Sequence, residues 1–126
     1  MNQNKIKNSA LAIDTSTNEY PKETIKDIIN LINKTLVEIP MIFADFKIRQ
    51  LTTTKEKVAI PYKKHGKGSY TDVLEWCEEN EVNQLYYITD LTGYIWDDIE
   101  VNYDVTWLVP FNFKPKPPFG EVIQTY

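Results

Sequence analysis

The chain has 126 residues, 42% of them apolar and 13% aromatic; this fits one domain with a real core and excludes both a pair of ordinary domains and a disordered chain. Its 14 basic and 18 acidic residues give a formal charge of -4, which argues against nucleic acid as a partner; the short Lys55-Glu56-Lys57 and Lys63-Lys64 patches read as solvated loops. Cys77 is the only cysteine, so no internal disulfide is possible and a reducing, cytoplasmic setting is expected, with no signal peptide in polar residues 1–8 and no apolar run near the roughly 20 residues of a membrane span.

Ala10-Leu11-Ala12-Ile13 is a short continuous apolar run, as expected of a strand buried on both faces, and it stops at the turn-forming cluster Asp14-Thr15-Ser16-Thr17-Asn18. A helix follows: Pro21 suits its first turn, Glu23 favours its N-terminal dipole, and Ile25, Ile28, Ile29, Ile32 and Leu36 recur on one face until Pro40 ends it. Residues 40–45 read as a second strand, with residues 47–51 following it. Residues 57–62 read as a third strand, placed at an edge by Pro61. A glycine loop from His65 to Tyr70 leads to a second helix that opens at Thr71-Asp72, with Thr71 as its N-cap, and ends near Asn80. Gln84-Leu85-Tyr86-Tyr87-Ile88 is another buried strand closed by Thr89-Asp90, and residues 104–109 form a further one. Residues 91–103 are less regular and carry Gly93, Asp97, Asp98 and Glu100; Lys114-Pro115-Lys116-Pro117-Pro118 is extended, and residues 119–123 close the domain as a last strand. Strands alternating with helices predict a three-layer, Rossmann-like α/β domain with a mostly parallel sheet and helices on both faces. Residues 1–126 read as one domain; its first strand begins so early that a longer protein could carry another domain before it.

In open parallel sheets ligands gather outside the carboxyl ends of the strands, near a switch in strand order. Three segments bring oxygen-bearing side chains to that edge: Asp14, Ser16 and Asn18, then Thr71 and Asp72, then Thr89 and Asp90. Carboxylate and hydroxyl oxygens without histidine or cysteine suit a hard cation, Mg²⁺ first and Mn²⁺ or Ca²⁺ next. Each residue also has a local explanation. Asp14 can simply end a strand, Ser16 and Thr17 can bond turn amides, and Asp90 can brace the turn before Gly93.

Leu11-Ala12-Ile13-Asp14-Thr15-Ser16, Gly68-Ser69-Tyr70-Thr71-Asp72, Tyr87-Ile88-Thr89-Asp90 and Pro117-Pro118-Phe119-Gly120-Glu121-Val122-Ile123 occur in this order along the chain. Together they resemble the von Willebrand factor A-like (VWA-like) domain found at the C-terminus of predicted metallopeptidase-like bacterial and phage proteins. The resemblance implies a metal-ion-dependent adhesion site (MIDAS) of the Asp-x-Ser-x-Ser type, completed by a threonine and an aspartate from later loops. By position these are Asp14, Ser16, Asn18, Thr71 and Asp90. Asn18 stands where the second serine would be, and Ser69-Tyr70 replaces the relatives' Gly-Gly before Thr71.

The expected function is therefore a protein-interaction module in which a divalent cation, with Asp90 acting through water, takes a partner's acidic side chain. The resemblance adds an AAA+-type ATPase as a candidate partner. The alternatives are a metal-assisted hydrolase, a regulatory subunit of a peptidase-like or ATPase-driven assembly, or a metal-free scaffold of the same fold. Other chemistries lack their residues. Ser16 occupies the place of the second aspartate of a haloacid-dehalogenase-type phosphatase, and no receiver-type acid set is present. His65 is the only histidine, which excludes a His-Glu-x-x-His zinc site, and Gly66-Lys67-Gly68-Ser69 lacks P-loop spacing. Cys77 lies on the apolar face of its helix and reads as structural.

Overall fold

The computed structural model of the chain describes residues 8–17, 19–35, 38–63, 68–92, 100–111 and 116–125. The readings of residues 1–7, Asn18, Leu36, Lys64 to Lys67, Gly93, Asp97, Asp98 and Lys114-Pro115 lie outside these. Among the described residues six strands and two helices follow in the order β1 (Ser9–Asp14), α1 (Lys22–Thr35), β2 (Pro40–Ala44), β3 (Ile48–Thr53), α2 (Thr71–Glu79), β4 (Gln84–Ile88), β5 (Asp104–Val109) and β6 (Glu121–Gln124). They form one sheet in the order β3-β2-β1-β4-β5-β6, parallel throughout except for β3, which runs antiparallel to β2. The expected α/β architecture with a mostly parallel sheet is thus the one found.

β1 is continuous in apolar character because both of its faces are covered. Leu11 and Ile13 turn toward α1 and pack with Ile25, Ile32, Met41, Phe43 and Ile88. Ala10 and Ala12 turn the other way, toward Val73, Leu74 and Cys77 of α2. Side-chain size is distributed across that second face. Alanines on β1 and β2 leave room for Tyr87 of β4 and Trp107 of β5, which stack with centroids 5.4 Å apart. Tyr70, just before α2, seals the cluster at 5.0 Å from each ring. All three aromatic side chains are fully buried. α1 obeys its isoleucine periodicity, and Pro21 sits just before its first residue, where the Pro21 carbonyl accepts the Ile25 N–H.

Two local expectations are corrected. Residues 57–62 are not a strand; the edge beside β2 is β3. Asp45-Phe46-Lys47 is short enough to fold β3 straight back on β2, and a locally closed hairpin claims the edge before a later segment can. Residues 57–62 instead drape over the α1 face, where Ile60 and Tyr62 pack on the core and the Lys63 N–H bonds the Thr15 carbonyl. Thr71 is also not an N-cap. Tyr70 occupies that position without a side-chain cap bond, and the Thr71 N–H is taken by the hydroxyl of Ser69.

The closing Pro-Phe-Gly segment has a packing reason. The Phe119 carbonyl accepts the Trp107 indole N–H at 2.7 Å, and Gly120 has a φ of 74°, with its α-carbon against the Val105 carbonyl. A methyl group at Gly120 would collide with that buried backbone oxygen in a conformation that L-residues resist. Gly120→Ala is therefore expected to destabilise the domain by about 1–3 kcal/mol or more. Urea unfolding followed by tryptophan fluorescence reads this as a lower midpoint; an unchanged midpoint would contradict the packing described.

Candidate functional site

The strand order reverses between β1 and β4. From β1 the chain moves outward through β2 to β3, and then returns to the other side of β1 with β4. The crevice at the carboxyl ends of these two strands is the switch point where α/β sheets gather ligands. Two of the sequence-predicted segments, Asp14-Thr15-Ser16 and Thr89-Asp90, face each other across it.

Asp14 is the centre of the site. Only 1% of it is exposed, and both of its carboxylate oxygens accept hydrogen bonds. Oδ1 takes the Ser16 N–H at 2.9 Å and the Ser16 hydroxyl at 2.6 Å; Oδ2 takes the Thr89 hydroxyl at 2.8 Å. The Thr89 oxygen lies 2.9 Å from the Tyr70 hydroxyl and also accepts the Leu91 N–H. Thr71 follows Tyr70, and its Oγ1 lies 3.3 Å from the Ser69 hydroxyl. The Ser69 N–H in turn bonds the Asp45 carbonyl at the end of β2. A single chain of contacts thus joins Asp14 and Ser16 to the loop that carries Thr71. Asp90 stands beside Thr89; its Oδ1 accepts both the N–H and the hydroxyl of Thr92, so the local turn-bracing role is present. Asn18 lies outside the described residues.

The five residues that the resemblance implies as cation ligands include neither Thr89, which sequence places at this edge, nor Tyr70. Thr89 carried a signal, since it follows a buried strand just as the Asp14 turn does. Tyr70 stood out only as the replacement for a glycine, and its use as an anchor between the aromatic core and Thr89 is visible only in three dimensions.

Two buried carboxylates end adjacent strands, and their surroundings differ. Burial pushes Asp45 upward, but the hydrogen bonds from the Arg49 Nε–H and the Lys47 N–H outweigh it and hold the carboxyl below its usual range. Among the described residues no such cation pairs with Asp14. Burial pushes it above the usual range, the bonds from Ser16 and Thr89 pull back only partly, and the negative charge of Asp90 adds to the rise. Among the described residues the one salt bridge is that of Asp45 with Arg49, and no group of three histidine, cysteine, aspartate or glutamate side chains is placed to hold a metal. The donor set around Asp14 is hydroxyl-rich instead, and that chemistry fits a hard cation, which accepts neutral oxygens beside a carboxylate. Cys77 is buried as expected, and burial pushes its thiol up to about 12, far from a nucleophile's range.

The raised Asp14 value fixes a sign. Its folded pKa lies above the unfolded value, so the folded state holds the proton more tightly, and ionising Asp14 removes stability as pH rises through the folded pKa. Unfolding measured in EDTA from pH 3.8 upward should show wild type losing stability relative to Asp14→Asn. A difference independent of pH would contradict the uncompensated carboxylate. Thr89→Val removes the hydroxyl that donates to the buried Oδ2 of Asp14, and should cost about 1–3 kcal/mol in the same experiment.

No helix among the described residues is long and apolar enough to cross a membrane. Comparison with curated proteins and with solved structures returns no match. The model of one family, described as VWA-like domain (DUF2201), matches residues 9–125, from the first residue of β1 to just past β6. With that match spanning nearly the whole chain, and with the strand-end Asp-Thr-Ser turn at the switch point of a six-stranded α/β sheet, the protein belongs to the VWA-like domain family.

Proposed function

We propose that the domain is a protein-interaction module whose switch-point crevice holds a divalent cation, Mg²⁺ first, and through it an acidic side chain of a partner. The observation that carries this reading is the Asp14 carboxylate: buried, bonded on both oxygens by neutral donors, next to a second carboxylate, and without a cationic neighbour among the described residues. Asp14, Ser16 and Thr71 would hold the ion, with Asn18 and with Asp90 through water. When bound, the ion supplies positive charge and an open coordination position for a carboxylate oxygen.

The chain's own residues prepare that position. Ser16 donates its hydroxyl proton to Asp14, which leaves the lone pairs of its oxygen for a cation. Thr89 and Tyr70 fix the rotamer of Asp14 from the opposite side, so the carboxylate is oriented before any ligand arrives. Tyr70 also ties the entry to α2 into the aromatic core, which sets where Thr71 begins. Family membership supports an interaction role, and the resemblance suggests an AAA+-type ATPase as the partner class.

Isothermal titration of Mg²⁺ and Mn²⁺ into the purified chain should give saturable heats that Asp14→Ala, which removes the central carboxylate ligand, abolishes. Equal, negligible heats for wild type and variant would overturn the cation site while leaving the fold untouched.

A further inference from the structure

A second feature stands at the same edge of the sheet. The β2–β3 turn, Asp45-Phe46-Lys47, leaves Phe46 42% exposed, one of the few large apolar side chains so placed. The turn is firmly built. The Asp45 N–H bonds the Lys47 carbonyl, and its carboxylate accepts the Lys47 N–H at 3.1 Å and the Arg49 Nε–H at 2.9 and 3.0 Å. Two cations flank the ring: the Arg49 guanidinium carbon lies 4.9 Å from its centroid and the Lys47 ammonium 5.7 Å. Against the single charge of Asp45, this corner is net positive on a chain of charge -4.

Its place in the fold adds to this. Ala44 is the parallel partner of Asp14, the Ala44 carbonyl accepts the Thr15 N–H, and the Asp45 carbonyl accepts the Ser69 N–H. The turn is therefore joined directly both to the Asp14 segment and to the loop bearing Thr71. Aromatic and arginine side chains are the residues in which binding energy concentrates, and a ring held by a braced turn loses little freedom on docking. Asp45 occupies the Nε–H of Arg49, while the guanidinium fork carries four further N–H donors suited to a carboxylate.

We propose that Phe46, Lys47 and Arg49 are the specificity surface of the cation site, and that the partner presents an extended acidic-apolar peptide segment. One carboxylate of that segment goes to the Asp14 crevice, a neighbouring aromatic or aliphatic side chain packs on Phe46, and a second carboxylate meets Lys47 and Arg49. This rests on the cation-site reading proposed above.

The test uses random dodecapeptides displayed on phage, selected on the whole chain in Mg²⁺. The strongest selected peptide is then synthesised with a fluorophore and titrated by anisotropy. The expected consensus pairs aspartate or glutamate with an adjacent aromatic or aliphatic residue, and binding should weaken about tenfold in Phe46→Ala and less in Lys47→Glu. Phe46→Trp should retain affinity, and all three variants should keep the wild-type thermal midpoint because Phe46 and Lys47 are exposed side chains outside the core. Absence of an enriched acidic-apolar consensus, or a peptide bound in Mg²⁺ with equal affinity by wild type and Phe46→Ala, overturns the surface. Binding that needs Phe46 but survives EDTA supports the surface and overturns the cation site; loss of binding in EDTA together with loss in Phe46→Ala supports both.

Discussion

The hydrogen bond from the Thr89 hydroxyl to Asp14 Oδ2 closes the switch point of this sheet, and much of the surrounding structure is arranged to make it. It links the ends of β1 and β4, residues 75 apart in sequence, across the crevice where the strand order reverses. A carboxylate that is 1% exposed needs its oxygens satisfied, because an unpaired buried acceptor is costly. Neutral hydroxyls satisfy the lone pairs but do not cancel the charge. That difference between hydrogen bonding and neutralisation gives the crevice its character, and the neighbouring Asp45, held by Arg49, shows the other solution in the same fold.

The aromatic cluster on the α2 face explains how the contact is kept in place. Ala12, Tyr87 and Trp107 lie in one row across three parallel strands, small beside large, and Tyr70 packs onto both rings. Because Tyr70 uses its ring for the core and its hydroxyl for Thr89, core packing and site geometry share one side chain. Buried tyrosines take both an apolar environment and a polar partner. Ser69-Tyr70 before the threonine has a structural use: Ser69 binds the Thr71 amide and the Asp45 carbonyl at the β2 end, and Tyr70 anchors the loop from beneath.

The sheet was legible in sequence where burial is greatest. β1 and β4 carry short continuous apolar runs and β5 is mostly apolar because both faces are covered, and α1 shows its isoleucine stripe because one face is. The edge beside β2 was not legible. β3 alternates half-buried and exposed residues of mixed chemistry, whereas residues 57–62 carry a β-like composition yet lack a strand to pair with. Pairing at an edge is decided by chain closure, which composition does not encode. The candidate site divides in the same way. Asp14 and Ser16 announce themselves as a turn after a buried strand, and the pairing of Asp14 with Thr89 needs the register of β1 on β4 before it can be seen.

Manganese relaxation measured on the ¹⁵N-labelled chain is the decisive measurement, because it reports where a cation sits as well as whether it binds. With substoichiometric Mn²⁺, amide signals should broaden around residues 14–16, 69–72 and 89–92, and excess Mg²⁺ should restore them. Broadening that is absent, or that centres away from the β1–β4 crevice, would contradict a cation site at Asp14.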